Sequence, residues 1–120
     1  MWSRSLVKAA PYVPERGDAV WLNFNPQKGR EQAGHRPGLV LSPIGYNHKT
    51  GLALVCPITS QSKGYPFECR LPAGLSIQGV VLSDHLRCLD WKGRQAKFIT
   101  KLPREVVEKA AAKVSALVAG

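Results

Sequence analysis

The chain has 120 residues, 44% of them hydrophobic and 21% charged, which suits one folded domain and excludes an intrinsically disordered polymer. Lys and Arg total 17 against 8 Asp and Glu, a formal net charge of +9, so a polyanionic partner such as nucleic acid is expected. No stretch approaches the roughly 20 apolar residues of a membrane span, and no basic amphipathic helix points to a lipid surface.

Residues 1–11 read as a short N-terminal extension. They carry Arg4 and Lys8 but lack the long apolar core of a signal peptide. The domain proper is placed at residues 12–120, with Pro14 and Gly17 punctuating its entry. Asp18 to Phe24 alternates, Val20, Leu22 and Phe24 sharing one face, which predicts a half-buried strand. Residues 25–30 are rich in turn formers and bases and lead into Glu31-Gln32-Ala33-Gly34-His35-Arg36-Pro37. That stretch gathers a carboxylate, an amide, an imidazole and a guanidinium at the mouth of an apolar strand, Gly38 to Ser42. Loops held on a rigid sheet are where sites concentrate.

Pro43 to Gly51 reads as a polar turn, followed by the most apolar strand, Leu52 to Cys56. Pro57 cannot donate to a ladder, so pairing is expected to falter there. A polar loop, residues 58–66, precedes the alternating Phe67 to Leu71. Further short strands are expected at residues 80–82, 86–89 and 96–100, the first two bracketing Ser83-Asp84-His85. The tail changes period: Val106, Ala110, Val114 and Leu117 recur at helical spacing after Pro103, and Glu105 can pair with Lys109 one turn on. The pattern predicts a helix packed on a small, mostly β fold, a closed or sandwich-like barrel.

Cys56, Cys69 and Cys88 form no C-x-x-C pair and each lies in or beside an apolar segment. They read as small buried hydrophobes of a reducing, cytoplasmic protein, with neither a disulfide framework nor a zinc site. Glu31, Glu68, Asp84, Asp90, Glu105 and Glu108 are scattered, whereas Mg²⁺-dependent nucleases gather carboxylates. No metal and no cofactor is expected.

Residues Arg16 to Pro26 and Lys28 to Pro37 resemble the opening of the MazF/PemK toxins, and the similarity continues through Val40-Leu41-Ser42-Pro43, Tyr46-Asn47, Lys49-Thr50-Gly51 and Pro57 to Glu68. The Glu-Gln-x-Gly-x-Arg-Pro motif followed by Pro-x-Thr-Ser is its most specific part. The resemblance implies an SH3-like β-barrel with a C-terminal helix, α+β and mostly β. It implies a homodimeric, metal-independent, sequence-specific endoribonuclease of a type II toxin–antitoxin module, cutting single-stranded RNA and restrained by a cognate antitoxin.

On that resemblance Arg36 is the phosphate-binding cation and Thr59 the hydroxyl donor, with Ser60 beside it. RNA carries its own nucleophile, the 2′-hydroxyl, so such an enzyme must orient it, remove its proton, stabilise the charged phosphorane and protonate the 5′-oxygen. A guanidinium suits the phosphate because it is always charged and meets two oxygens at once. Glu31 and His35 compete for the role of base. Phe24 stands where a base could stack, though its alternation also places it in the core. Lys28, Arg30, Gln32, Asn47, Gln61, Lys63, His85 and Arg87 are candidate RNA contacts; for each, a solvated surface residue is the bland alternative. The rivals to the nuclease are a basic barrel that binds nucleic acid without cutting it and a gyrase-targeting toxin of the CcdB type. The end of the chain, Ala116 to Gly120, lacks the tail on which the latter depends.

Overall fold

The computed structural model describes residues 11–24 and 35–120. Lys28, Arg30, Glu31 and Gln32 lie outside the described residues, as does most of the N-terminal extension. Seven antiparallel strands form one sheet: β1 Asp18–Asn23, β2 His35–Val40, β3 Leu52–Thr59, β4 Glu68–Arg70, β5 Val80–Leu82, β6 Arg87–Asp90 and β7 Lys97–Lys101. The helices are α1 Ile44–Thr50 and α2 Arg104–Ala119, with a 3₁₀ turn at Ser83–His85.

The pairing order is β4-β5-β3-β2-β1-β7, with β6 off this path, paired to the Leu52–Val55 half of β3 on the edge away from β2. The expected closed barrel is therefore an open sheet: β4 and β7 stand at opposite ends of the path, and no ladder among the described strands joins them. Helix α2 packs across one side of the sheet. Its Val106, Val107 and Ala110 pack with Ala19, Leu39, Cys56, Ile58, Cys69 and Val81 on one side of the sheet. Period-2 alternation places Val20, Leu22, Val40, Ala53 and Val55 on the other side, with Phe24, Leu89 and Trp91. Both faces are thus buried, which is why β2 and β3 read as continuous apolar runs.

Pro57 marks a change of partner. β3 pairs with β2 up to Gly38↔Pro57 and with β5 from Ile58↔Val81 onward. The strand continues to Thr59 but swings from one neighbour to the other where its proline lacks a donor. Gly38 sits opposite because a Cβ there would stand 2.5 Å from Val55 Cγ1. Close approach of β2 to β3 needs a residue without a side chain.

Four expectations change. Residues 43–51 contain a short helix rather than a turn, its end set by Gly51 with φ 76° and its amide bonded to Asn47 O. His35, Arg36 and Pro37 are the first residues of β2 rather than loop, paired with Asn23, Leu22 and Trp21. Cys88 is exposed, its Sγ 3.9 Å from Tyr46 Oη, whereas Cys56 and Cys69 are buried as read. Leu117 is exposed with Val118, because the apolar stripe of α2 runs past the edge of the sheet. On the outer face the one-turn ion pair is Arg104–Glu108, at 3.3 Å.

Candidate active site

Adjacent strands bring the two principal candidates together. Arg36 is the second residue of β2 and Thr59 ends β3, beyond the point where the two strands part at Pro57. Both line a cleft of about 350 Å³ with Gln61, Lys63, Glu68 and His85. Both also line an open groove of about 510 Å³ that continues past Trp21, His35 and Ser60 to Gln78. Arg36, Thr59 and Gln61 are common to the two hollows, so they form the shared wall of one continuous trough.

The Thr59 hydroxyl accepts the Gln61 amide at 3.1 Å. This is the turn-forming role of such a side chain, and it fixes the oxygen while leaving its proton to be donated elsewhere. Gly79 holds the other side of Thr59. It has φ 122°, and a Cβ on it would stand 2.1 Å from Thr59 O. Only glycine fits both the backbone angle and the contact. Arg36 is exposed, with its guanidinium bonded to none of the described residues.

Glu68 organises one part of the cleft lining. Its carboxylate accepts the Ser62 hydroxyl at 2.8 Å and the amides of Lys63 and Gly64 at 2.9 and 3.1 Å. The Lys63 amide, followed by partial desolvation working the other way and by the Ser62, Gly64 and Arg70 contributions, holds the Glu68 carboxyl below its ordinary value. A carboxylate spent on three donors is an anchor for the Gln61–Tyr65 loop, not a free base. Sequence reading saw Glu68 only as the polar half of an alternation. The signal for its role was the run of a hydroxyl and a glycine, Ser62 and Gly64, just upstream.

Several candidates fall elsewhere. Asn47 is 0% exposed: its Nδ2 donates to Pro14 O at 2.8 Å and Ser42 O at 3.1 Å, and its Oδ1 accepts the Ser42 hydroxyl at 2.5 Å. It is a core bracket with no atom left for RNA. Phe24 is 5% exposed within the core and offers no face for stacking. Arg87 covers the Phe24 ring at 5.7 Å and donates to Phe24 O at 3.4 Å. Arg94, which sequence reading passed over, donates to the same carbonyl at 2.8 Å. These cations pin the end of β1 and do not line either hollow.

His35 keeps company with Trp21. They are diagonal neighbours across the β1–β2 pair, with ring centroids 5.4 Å apart and planes tilted by 39°. Below them, Asp18 is 3% exposed and ties the base of β1 to β7 through Lys101 Nζ at 2.7 Å, to the Tyr12 hydroxyl at 2.5 Å and to the Glu15 amide at 3.0 Å. Among the described residues no helix is long and apolar enough to cross a membrane.

Residues 15–118 match the PemK-like, MazF-like toxins of type II toxin–antitoxin systems. The chain is 47% identical over 107 residues to the endoribonuclease toxin MazF of Escherichia coli K12, covering 89% of this chain and 96% of that protein. It is 30% identical over 106 residues to the endoribonuclease EndoA of Bacillus subtilis, covering 81% and 87%. Among solved structures, MazF of Deinococcus radiodurans superposes with a TM-score of 0.84 at 52% identity, covering 92% of this chain and all of that one. A MazE–MazF complex from the same organism gives 0.81 at 48%, covering 91% and 98%. This chain belongs to the PemK/MazF family of toxins.

Proposed function

We propose that this protein is an endoribonuclease toxin that cuts single-stranded RNA at a specific sequence and is held in check by an antitoxin. The observation that carries the reading is the meeting of Arg36 and Thr59 on the shared wall of an open trough. The basic balance of the chain, +9 overall, suits a polyanion. The relatives named endoribonucleases and the MazF chains solved with MazE support the substrate class and a MazE-like partner. The working form is a homodimer in the bacterial cytoplasm, where mRNA is reached directly.

In this reading Arg36 grips the scissile phosphate and takes up the charge that grows on its oxygens. Thr59, its oxygen fixed by the Gln61 amide, donates its proton to a phosphate oxygen or positions the 2′-hydroxyl. The 2′-oxygen forms a bond to phosphorus as the bond to the 5′-oxygen breaks. The 2′-proton passes to a base, and the leaving oxygen gains a proton. The products are a 2′,3′-cyclic phosphate and a 5′-hydroxyl. His35 lies in the trough beside Arg36, and Glu31 belongs to the same motif; one of them serves as base. Gln61, Lys63, Ser60 and His85 contact the strand along the trough. Glu68 acts only through the loop it holds.

The test is cleavage of a mixed-sequence single-stranded RNA in EDTA, beside Arg36→Ala and a DNA of the same sequence. Discrete cuts bearing 5′-hydroxyl ends, absent with the variant and with DNA, are expected. RNA left intact at high protein concentration over several long transcripts, with Mg²⁺ as well as in EDTA, overturns the reading in favour of a binding module. Cuts that vanish in EDTA overturn the metal-free chemistry.

A further inference from the structure

We propose that Trp21, braced by His35, is a nucleobase-stacking platform beside the Arg36–Thr59 phosphate site. The inference deepens the ribonuclease reading and rests on it for the identity of the strand bound. The sequence offers Phe24 as a stacking face although its alternation also points to the core, and the core is where it lies. The opposite face of the same strand carries an aromatic that is not buried: Trp21 is 39% exposed, while Val20 and Leu22 on either side are 1% and 0% exposed.

Three features make the exposed indole more than a stray surface aromatic. It lines the groove that also contains Arg36, Thr59 and Gln61. It stands on β1, which is paired on both sides, to β2 and to β7, so its backbone is fixed before any ligand arrives. Its flank is occupied by the His35 ring at 5.4 Å, which limits the indole's rotation and adds a second aromatic surface. His35 and Arg36 are consecutive in β2, so their side chains alternate across the strand, and both nevertheless line this groove. A phosphate held by Arg36 and the base next to it therefore fall within reach of one strand. Ile77 supplies apolar contact within the groove, and the Gln78 and Gln61 amides offer donors and acceptors to a base edge. Stacking tolerates every base, so Trp21 supplies affinity and register while the amides discriminate.

The experiment measures binding, which keeps it independent of cleavage. RNA oligomers methylated at every 2′-oxygen, and so uncuttable, span a site mapped with the wild type; mixed-sequence oligomers serve if the wild type cuts nothing. Each position in turn is made abasic. For the wild type, one position next to the scissile phosphate should weaken binding about tenfold or more. Trp21→Ala should bind the intact oligomer weaker by a similar factor and lose sensitivity at that one position. Trp21→Phe should keep most of both. Trp21→Thr, which retains strand preference, replaces the alanine variant if that one fails to fold. Wild-type affinity in Trp21→Ala, or an abasic cost unchanged by the substitution, overturns the proposal. So does a variant that sediments as a smaller species with its abasic profile intact, which assigns Trp21 to a contact between copies. A wild type that binds RNA with the expected abasic profile but never cuts it defeats the nuclease reading and leaves the platform standing.

Discussion

The Lys63 amide donates to Glu68 Oε2 at 2.9 Å, within the lining of the cleft that Arg36 and Thr59 share. With Ser62 and Gly64 on the other oxygen, one carboxylate holds the loop that carries Gln61 and Lys63. Its donors favour the charged form, so its folded value lies below the ordinary 4.5. The unfolded chain then binds the proton more readily, and the loop's stabilisation is complete above that ordinary value and lost as pH falls through the lower, folded one. Amide exchange at Lys63 and Gly64 should be slow at about pH 6 and rise, after correction for intrinsic rates, towards about pH 3. Glu68→Gln should remove this dependence and raise KM several-fold with little change in unfolding temperature. Flat protection across that range in the wild type would remove Glu68 from the role.

Arg36→Ala should lower kcat by about 10²–10³ with the unfolding midpoint unchanged, because a lost preorganised donor to a developing charge costs that much and the side chain is exposed. Arg36→Lys keeps charge and loses the two-pronged geometry, so it should recover only part of the rate. Thr59→Val removes the hydroxyl from a strand end that tolerates valine; cleavage at the wild-type rate would show that Thr59 is only a turn former.

Gly79→Ala should resemble a damaged Thr59. The new methyl would collide with Thr59 O, 2.1 Å away, at a residue whose φ is already 122°. Either the β5 entry or the Thr59–Ser60 backbone has to move. Strain of this kind costs about 1–3 kcal/mol, so the expected result is a lower unfolding midpoint together with a fall in kcat. A loss of stability with kcat intact would separate Gly79 from the site.

What the sequence made legible was whatever depends on period and on motif. The β1 alternation, the helical stripe of α2 and the partner change at Pro57 all follow from spacing or from a missing donor. The Arg36–Thr59 pairing came from a family motif, since no period could show that residues so far apart in the chain share one wall. Three kinds of feature stayed hidden. Asn47 looked like a surface amide because burial of a polar residue depends on partners, here Pro14 and Ser42, that the chain supplies from elsewhere. Closure of the barrel depends on whether β4 meets β7, and no ladder among the described strands joins them. Trp21 and Phe24 alternate on opposite faces, and only packing says which face is covered.

Asn47→Ala is expected to destabilise the fold while sparing the chemistry. The side chain brackets Pro14, Ser42 and the start of α1, and its backbone carbonyl accepts Trp91 Nε1 at 2.9 Å. Truncation leaves two buried carbonyls and a hydroxyl without their partner, at about 1–3 kcal/mol for each group that stays dry. With all three dry the loss in urea unfolding is about 3–9 kcal/mol, and smaller where water reaches one of them. Activity per folded molecule should match the wild type. Unaltered stability with weakened RNA binding would restore Asn47 to the groove.

The three cysteines should separate by reactivity. Burial, with the Asp84 charge adding to it, pushes the Cys56 thiol up to about 12, so its ionised fraction at about pH 8 is on the order of 10⁻⁴. Burial also raises Cys69, against the opposing pull of Lys109 and Lys113, and its thiol faces Val106 O at 3.7 Å. Cys88 is exposed on β6. Iodoacetamide on the native protein should therefore modify Cys88 first, with Cys56 and Cys69 reacting only after urea is added; peptide mass mapping reads the order. Cys56 lies on the strand that ends in Thr59, so its labelling reports opening of β3. RNA bound in the trough should slow that labelling further and leave the Cys88 rate unchanged. Native Cys56 reacting as fast as Cys88 would show that β3 opens freely and that the wall carrying Thr59 is not preorganised.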